Sequence, residues 1–236
     1  GLMPHPERAC EPLLGSDDFD GSVLAEAEAT GIDALAGNDT IATADPVASS
    51  STAEAFGGSA DGNLAGPASA NIEVTAAASS RAVVGGDGDD TIINGGEASA
   101  AASSDATGAS LGVTLEAGVI NSAEPGDALA EAGTRSGAAV TVIDAGNGAD
   151  KIINNGSISG EVDATATAVG ITLSAGLSDA DDISTGAALS NGSSIATASG
   201  VGIDSGAGDD SINNGGPVIL DVDATAEGVA VGLEIV

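Results

Sequence analysis

Four segments of this chain carry one pattern at long, nearly constant intervals, and such a repeat constrains the fold more than any local propensity. "GIDALAGNDTI" begins at Gly31, "VVGGDGDDTI" at Val83, "VIDAGNGADKI" at Val142 and "GIDSGAGDDSI" at Gly202. Their closing isoleucines, Ile41, Ile92, Ile152 and Ile212, lie 51, 60 and 60 residues apart. A second feature keeps step with the last three: "DATGASLGVTL" from Asp105, "DATATAVGITL" from Asp163 and "DATAEGVAVGL" from Asp223. "DADDI", ending at Ile183, sits midway between two of the loops and reads as a degraded copy of them. That copy predicts a structural unit of about 30 residues, two to each long period.

Inside each unit, turn signals alternate with apolar alternation, as in "VTVID", "KIINNGSIS" and "ATATAVGITLSA". Period-two alternation marks strands, and Asn-Gly or Gly-Gly marks the corners between them. Short strands joined at three corners make a coil, and stacked coils make an all-β parallel β-helix, or β-solenoid. A β-sandwich also uses many short strands, but it does not predict turns, acidic loops and apolar positions recurring together. A helical bundle would need a 3.6-residue period that the Ala-rich segments lack.

Composition supports a slim core. Aromatic residues make up 1% of the chain, with only Phe19 and Phe56, whereas 42% of residues are hydrophobic. That apolar share is too high for a disordered acidic tail, and the lack of large rings excludes a conventional globular core. The predicted organisation is a non-repeat arm or cap over residues 1–25, which holds Pro4, Pro6, Pro12 and His5, and a repeat domain over 26–236.

Thirty-six acidic residues against four basic ones give a net charge of -32. Nucleic acid and anionic membranes, both polyanions, are therefore excluded as partners, and cations are favoured. No run reaches the ~20 apolar residues that membrane insertion by a helix requires. Cys10 is the only cysteine, so no internal disulfide framework exists. Gly1 in place of an initiator Met is what a processed, secreted chain would show.

The loops raise a physical problem. "GGDGDDTII" sets Asp87, Asp89 and Asp90 beside three glycines, and the carboxylates repel while the glycines lose the most backbone entropy. Calcium would compensate, since it takes about six to eight oxygens from carboxylates and carbonyls, and glycines let carbonyls turn towards it. The candidate ligands are Asp39, Asp87, Asp89, Asp90, Asp144, Asn147, Asp150, Asp181, Asp204, Asp209 and Asp210. Solvated turns, or the acidic surface of a protein adapted to high salt, are the competing explanations.

Gly85, Gly86, Gly88, Asp90 and Ile92 match the nonapeptide GGxGxDxUx at every defined position. The loop thus resembles the calcium-binding repeats of RTX (hemolysin-type) proteins, which implies an ion wrapped by the loop and a core-facing Ile. "AGNGADKII" and "SGAGDDSIN" depart at the first glycine, and "ALAGNDTIA" at both, leaving Asp39 as its likeliest ligand. In that family the nonapeptides run in tandem, whereas good copies here are about 60 residues apart, so each loop would draw on an intervening coil through Asp179, Asp181 and Asp182. The "NNGSIS…ATAVGI" texture is also similar to the β-helical passengers of adhesins and autotransporters.

Catalysis finds little support. His5 is the sole histidine and lies in a Pro-flanked segment, which disfavours a Ser-His-Asp arrangement. A β-helical polysaccharide lyase needs a basic residue in an aromatic-lined groove, and only Arg8, Arg81, Arg135 and Lys151 are available, without Trp or Tyr. Asn38, Asn155 and Asn191 each open an N-x-Ser/Thr sequon at a predicted turn and are possible glycan sites. The apolar run that closes the sequence, "DATAEGVAVGLEIV", predicts an uncovered strand edge. Such an edge fits a fragment of a longer chain or a subunit covered by another. The expectation is a secreted, non-catalytic structural subunit that self-associates head to tail into a fibre, with calcium rigidifying it. The alternative is a calcium-binding stalk segment of an adhesin or surface-layer protein.

Overall fold

The computed structural model describes residues 19–63, 67–118, 127–178 and 187–235, in which every regular element is a β-strand. Each turn of the chain contributes a long strand, a four-residue strand and a second long strand. The first turn is β1 (Phe19–Asp33), β2 (Thr40–Thr43) and β3 (Val47–Asn63); the second is β4 (Ala68–Val84), β5 (Thr91–Asn94) and β6 (Glu97–Gly118). The third is β7 (Ala128–Asp144), β8 (Lys151–Asn154) and β9 (Ser157–Ser178); the fourth is β10 (Ala188–Asp204), β11 (Ser211–Asn214) and β12 (Val218–Ile235).

Equivalent strands stack in parallel and in register into three four-stranded sheets, β1-β4-β7-β10, β2-β5-β8-β11 and β3-β6-β9-β12. This is the parallel β-helical arrangement that the repeat predicts. The rung, however, is the full long period: Ala70 pairs with Ala130, and Ile92 with Ile152. The 30-residue interval is half a turn, the distance between facing strands, as in the 2.6 Å hydroxyl contact of Ser49 with Ser80. A 30-residue coil is thus corrected to one of 51 or 60 residues. The shorter first turn loses its residues between β3 and β4, because Asn63 is level with Thr114 and Ala68 with Ala128.

Strand length also departs from expectation, since the long strands run to 22 residues against a usual five or six. The cause is the interior. At the acidic corner the short sheet props the long ones apart, and Ile92, Ile152, Ile158, Val140, Val142 and Val162 fill the space, each no more than 1% exposed. Farther along, the inward positions are mostly Ala, Ser, Thr and Gly, with Ile72 and Val74 set against Gly57 and Gly108, and the two long sheets close directly on each other. A Cβ at Gly112 would meet the Leu129 carbonyl at 2.6 Å. With small side chains or glycine on at least one side of the contact, the facing strands continue without a corner.

β1 begins at Phe19, level with Ala70, so residues 19 to 25 belong to the stack and not to an arm ending at residue 25. Residues 1–18 lie outside the described residues.

Candidate functional site

The four acidic loops occupy one corner, directly above one another. Isolated bridges link Ala36 to Asp87, Asp87 to Asn147 and Asn147 to Ala207, which fixes the column order. No coil intervenes between the loops: each stacks directly on the next. Asp181, with Asp179 and Asp182, lies outside the described residues.

The backbone reaches this geometry through glycines at positive φ: Gly86 at 104° and Gly88 at 137°, Gly146 at 94° and Gly148 at 146°. Each such residue lies against the carbonyl of its equivalent one rung away, leaving no room for a Cβ. The first loop carries Leu35 where the others have glycine, at φ 72° and 70% exposed.

The aspartates then fall into four columns. Asp39, Asp90, Asp150 and Asp210 form the inner one and make a ladder. The Asp39 N–H donates to Asp90 Oδ1 at 2.7 Å, Asp90 N–H to Asp150 Oδ1 at 2.7 Å, and Asp150 N–H to Asp210 Oδ1 at 3.0 Å. Asp90 and Asp150 are 1% and 2% exposed, and the Oδ2 of each is buried with no hydrogen-bond partner. Burial raises the pKa of Asp150 above its ordinary 3.8; the Asp90 amide lowers it, and the charges of Asp90, Asp210 and Asp89 raise it further.

The outer residues are exposed and bond between rungs. Asn147 Nδ2 donates to Asp87 Oδ1 at 2.9 Å, Asp89 Oδ1 accepts from the Ala149 N–H at 2.9 Å, and Asn38 Oδ1 accepts from the Asp89 N–H at 3.0 Å. Asp209 extends the column of Asn38, Asp89 and Ala149, also exposed.

At the loop entrance Asp204 caps its own turn, its Oδ1 accepting from the Gly206 N–H at 3.0 Å, as Asp33 does for Leu35 at 2.9 Å. Asp144 occupies the same column, half-buried. Burial raises its pKa, Arg81 lowers it, Asp204 raises it and the Gly146 amide lowers it. Arg81 spans three rungs, lying 3.3 Å from Glu28 and 3.6 Å from Asp144.

Calcium has to be weighed against this set of donors. Among the described residues no three acidic, His or Cys side chains converge on one point. The carbonyls of Leu35, Gly86, Asp87, Gly146, Asn147 and Ala207 all accept main-chain N–H groups from neighbouring rungs. As folded, the inner carboxylates of the corner act as acceptors for buried amides. The orphaned Oδ2 atoms of Asp90 and Asp150 are the only feature in the described corner that asks for a further ligand.

A second ladder runs beside the first. Two residues beyond the core isoleucine, Thr43 Oγ1 donates to Asn94 Oδ1 at 2.8 Å, Asn94 Nδ2 to Asn154 Oδ1 at 2.7 Å, and Asn154 Nδ2 to Asn214 Oδ1 at 2.6 Å. Asn94 and Asn154 are 1% and 0% exposed. The legible signal is Asn at a fixed offset from Ile92, Ile152 and Ile212.

The three sequon asparagines are all exposed, but Asn191 lies inside β10, level with Glu131, and not at a turn. No helix among the described residues is long and apolar enough to cross a membrane. Comparison of the chain with protein-family models, curated proteins and solved structures finds no match.

Proposed function

We propose that this chain is a non-catalytic structural protein, a β-solenoid subunit whose rungs continue from copy to copy, head to tail, into an extracellular filament or matrix. The fourth rung carries the argument. Its inward-facing Val218, Leu220 and Val222 are 41%, 38% and 42% exposed, although their equivalents Ile158 and Val162 in the third rung are fully buried. The first rung offers the complementary edge, with strands in the same direction. Asp39 can accept from the amide of Asp210 on the preceding copy, and the Thr43 hydroxyl from Asn214, which extends both ladders across the contact. Such a contact is heterologous and open, and it generates a fibre. The extracellular setting is carried by the resemblance of the loops and texture to secreted repeat proteins. Negative-stain microscopy and sedimentation across a concentration series test the reading: filaments are expected, and a protein that stays monomeric at high concentration refutes it.

The second reading, a calcium-binding stalk segment of an adhesin or surface-layer protein, is favoured by the unpartnered Oδ2 atoms of Asp90 and Asp150. Calorimetric titration with calcium, against magnesium and high sodium chloride, decides it. Absence of a calcium-specific heat ends that reading and leaves the filament untouched.

A further inference from the structure

The outward face of the third sheet is divided in two along its strands. Its first half is acidic, with Asp105 on the second rung, Asp163 on the third, and Asp223 and Glu227 on the fourth. Its second half is aliphatic. Register places Leu111, Ile171 and Val231 in one column, at 41%, 41% and 48% exposed, and the flanking columns end in Val229 and Leu233, at 46% and 54%. Ser110 and Thr172, between these positions, are buried, so alternation turns the aliphatic side chains to solvent. This part of the sheet is inverted: its small residues face the facing sheet and its large ones face outward.

Size identifies the occupant. Three columns at ~6.8 Å by three rungs at ~4.8 Å cover roughly 300 Å². A stable pair of separate proteins needs about 800 Å² from each partner, so two single copies would not stay together through this face. The columns run along the stacking direction, however, and end-on assembly repeats the patch once per copy. The first rung interrupts it only with Gly58, Ala60 and Gly62.

We propose that the occupant is a second copy of this chain in a neighbouring filament, so that filaments pair laterally along this aliphatic stripe. The inference rests on the end-on reading above. Pairing is two-fold, with strand directions opposed, which sets stripe against stripe and sends the two acidic halves to opposite sides. The charge of -32 per chain would otherwise hold filaments apart.

The test is negative-stain microscopy of the wild-type chain beside the triple variant Leu111→Thr, Ile171→Thr, Val231→Thr. Threonine keeps the strand preference and removes the aliphatic face. Wild type is expected as paired filaments; the variant is expected as single filaments of the same length and about half the width. Single substitution Val231→Lys, checked for an unchanged unfolding midpoint, should do the same if the triple variant fails to fold. Wild-type filaments that are single throughout, or variants that pair like wild type, overturn the lateral contact while leaving end-on assembly intact. Single wild-type filaments that take up phosphatidylcholine vesicles would assign the stripe to a lipid surface and also overturn it. Absence of any filament refutes the end-on reading, and the lateral contact falls with it.

Discussion

The main-chain N–H of Asp90 donates to Oδ1 of Asp150 at 2.7 Å, across 60 residues of sequence. An acid in a glycine loop is usually read as a surface charge or a metal ligand. Here it reaches under the neighbouring rung and satisfies an amide that the turn has removed from the sheet ladder. Charged acceptors make the shorter and stronger hydrogen bonds, and that gain opposes the repulsion along the column.

Asp150→Ala should cost about 1–3 kcal/mol, because the Asp90 amide is left buried and unpaired. Asp150→Asn keeps the acceptor and should stay within about 1 kcal/mol of wild type. Urea unfolding of the two variants measures the difference. Equal losses would show that charge, and not acceptance of the amide, is what the corner requires.

Stability should rise as pH falls from neutral. Asp150 and Asp144 have folded pKa values raised above 3.8, so folding favours their protonated forms. Their contribution is fully present below the unfolded value and is lost as pH rises through the raised one. Thermal midpoints between pH 7 and pH 4 should increase, and Asp150→Asn should flatten the rise. A falling midpoint from pH 7 to pH 5 contradicts the assignment.

Asn154→Ala leaves the Asn94 amide group without its acceptor and Asn214 without its donor, and should destabilise by about 2 kcal/mol or more. The neighbouring Asn155, exposed at the corner, should tolerate alanine within about 0.5 kcal/mol. Thermal unfolding of the pair separates ladder from turn.

Two glycines in one rung should respond in opposite directions. Gly146→Ala puts a methyl group against the Gly86 carbonyl at φ 94° and should cost more than about 3 kcal/mol or prevent folding. Gly137→Ala meets nothing within 4 Å and should stabilise by about 0.5–1 kcal/mol through lost freedom in the unfolded chain. Parallel denaturant titrations check both.

Much of the architecture is legible because stacking demands repetition: the loops, the core isoleucines and the strand alternation all recur together. Asp90 was visible as special, but its partner was not, since a carboxylate in a Gly-rich turn serves amide and metal alike. Asn94 and Asn154 escaped notice for a related reason. Asn at or next to a Gly is a turn signal, and only the third dimension turns Asn94, Asn154 and Asn214 into one inward ladder. The half-period is ambiguous in the sequence because facing strands and stacked strands recur at commensurate intervals. The aliphatic stripe stayed hidden because hydrophobicity usually marks the interior, and around Leu111 and Ile171 it marks the outside.

The 60-residue rung sets a quantum for change in this molecule. Adding or removing one whole turn moves every later strand to an equivalent seat and keeps Asp over Asp, Asn over Asn and Ile over Ile. A change of half that length would place each long strand on the opposite wall, its small side chains meeting partners shaped for another position. Length in such a chain drifts most easily in whole steps, so relatives should differ by multiples of a turn or by a shorter difference confined to where the first turn already shows one, the crossing that follows the second long strand.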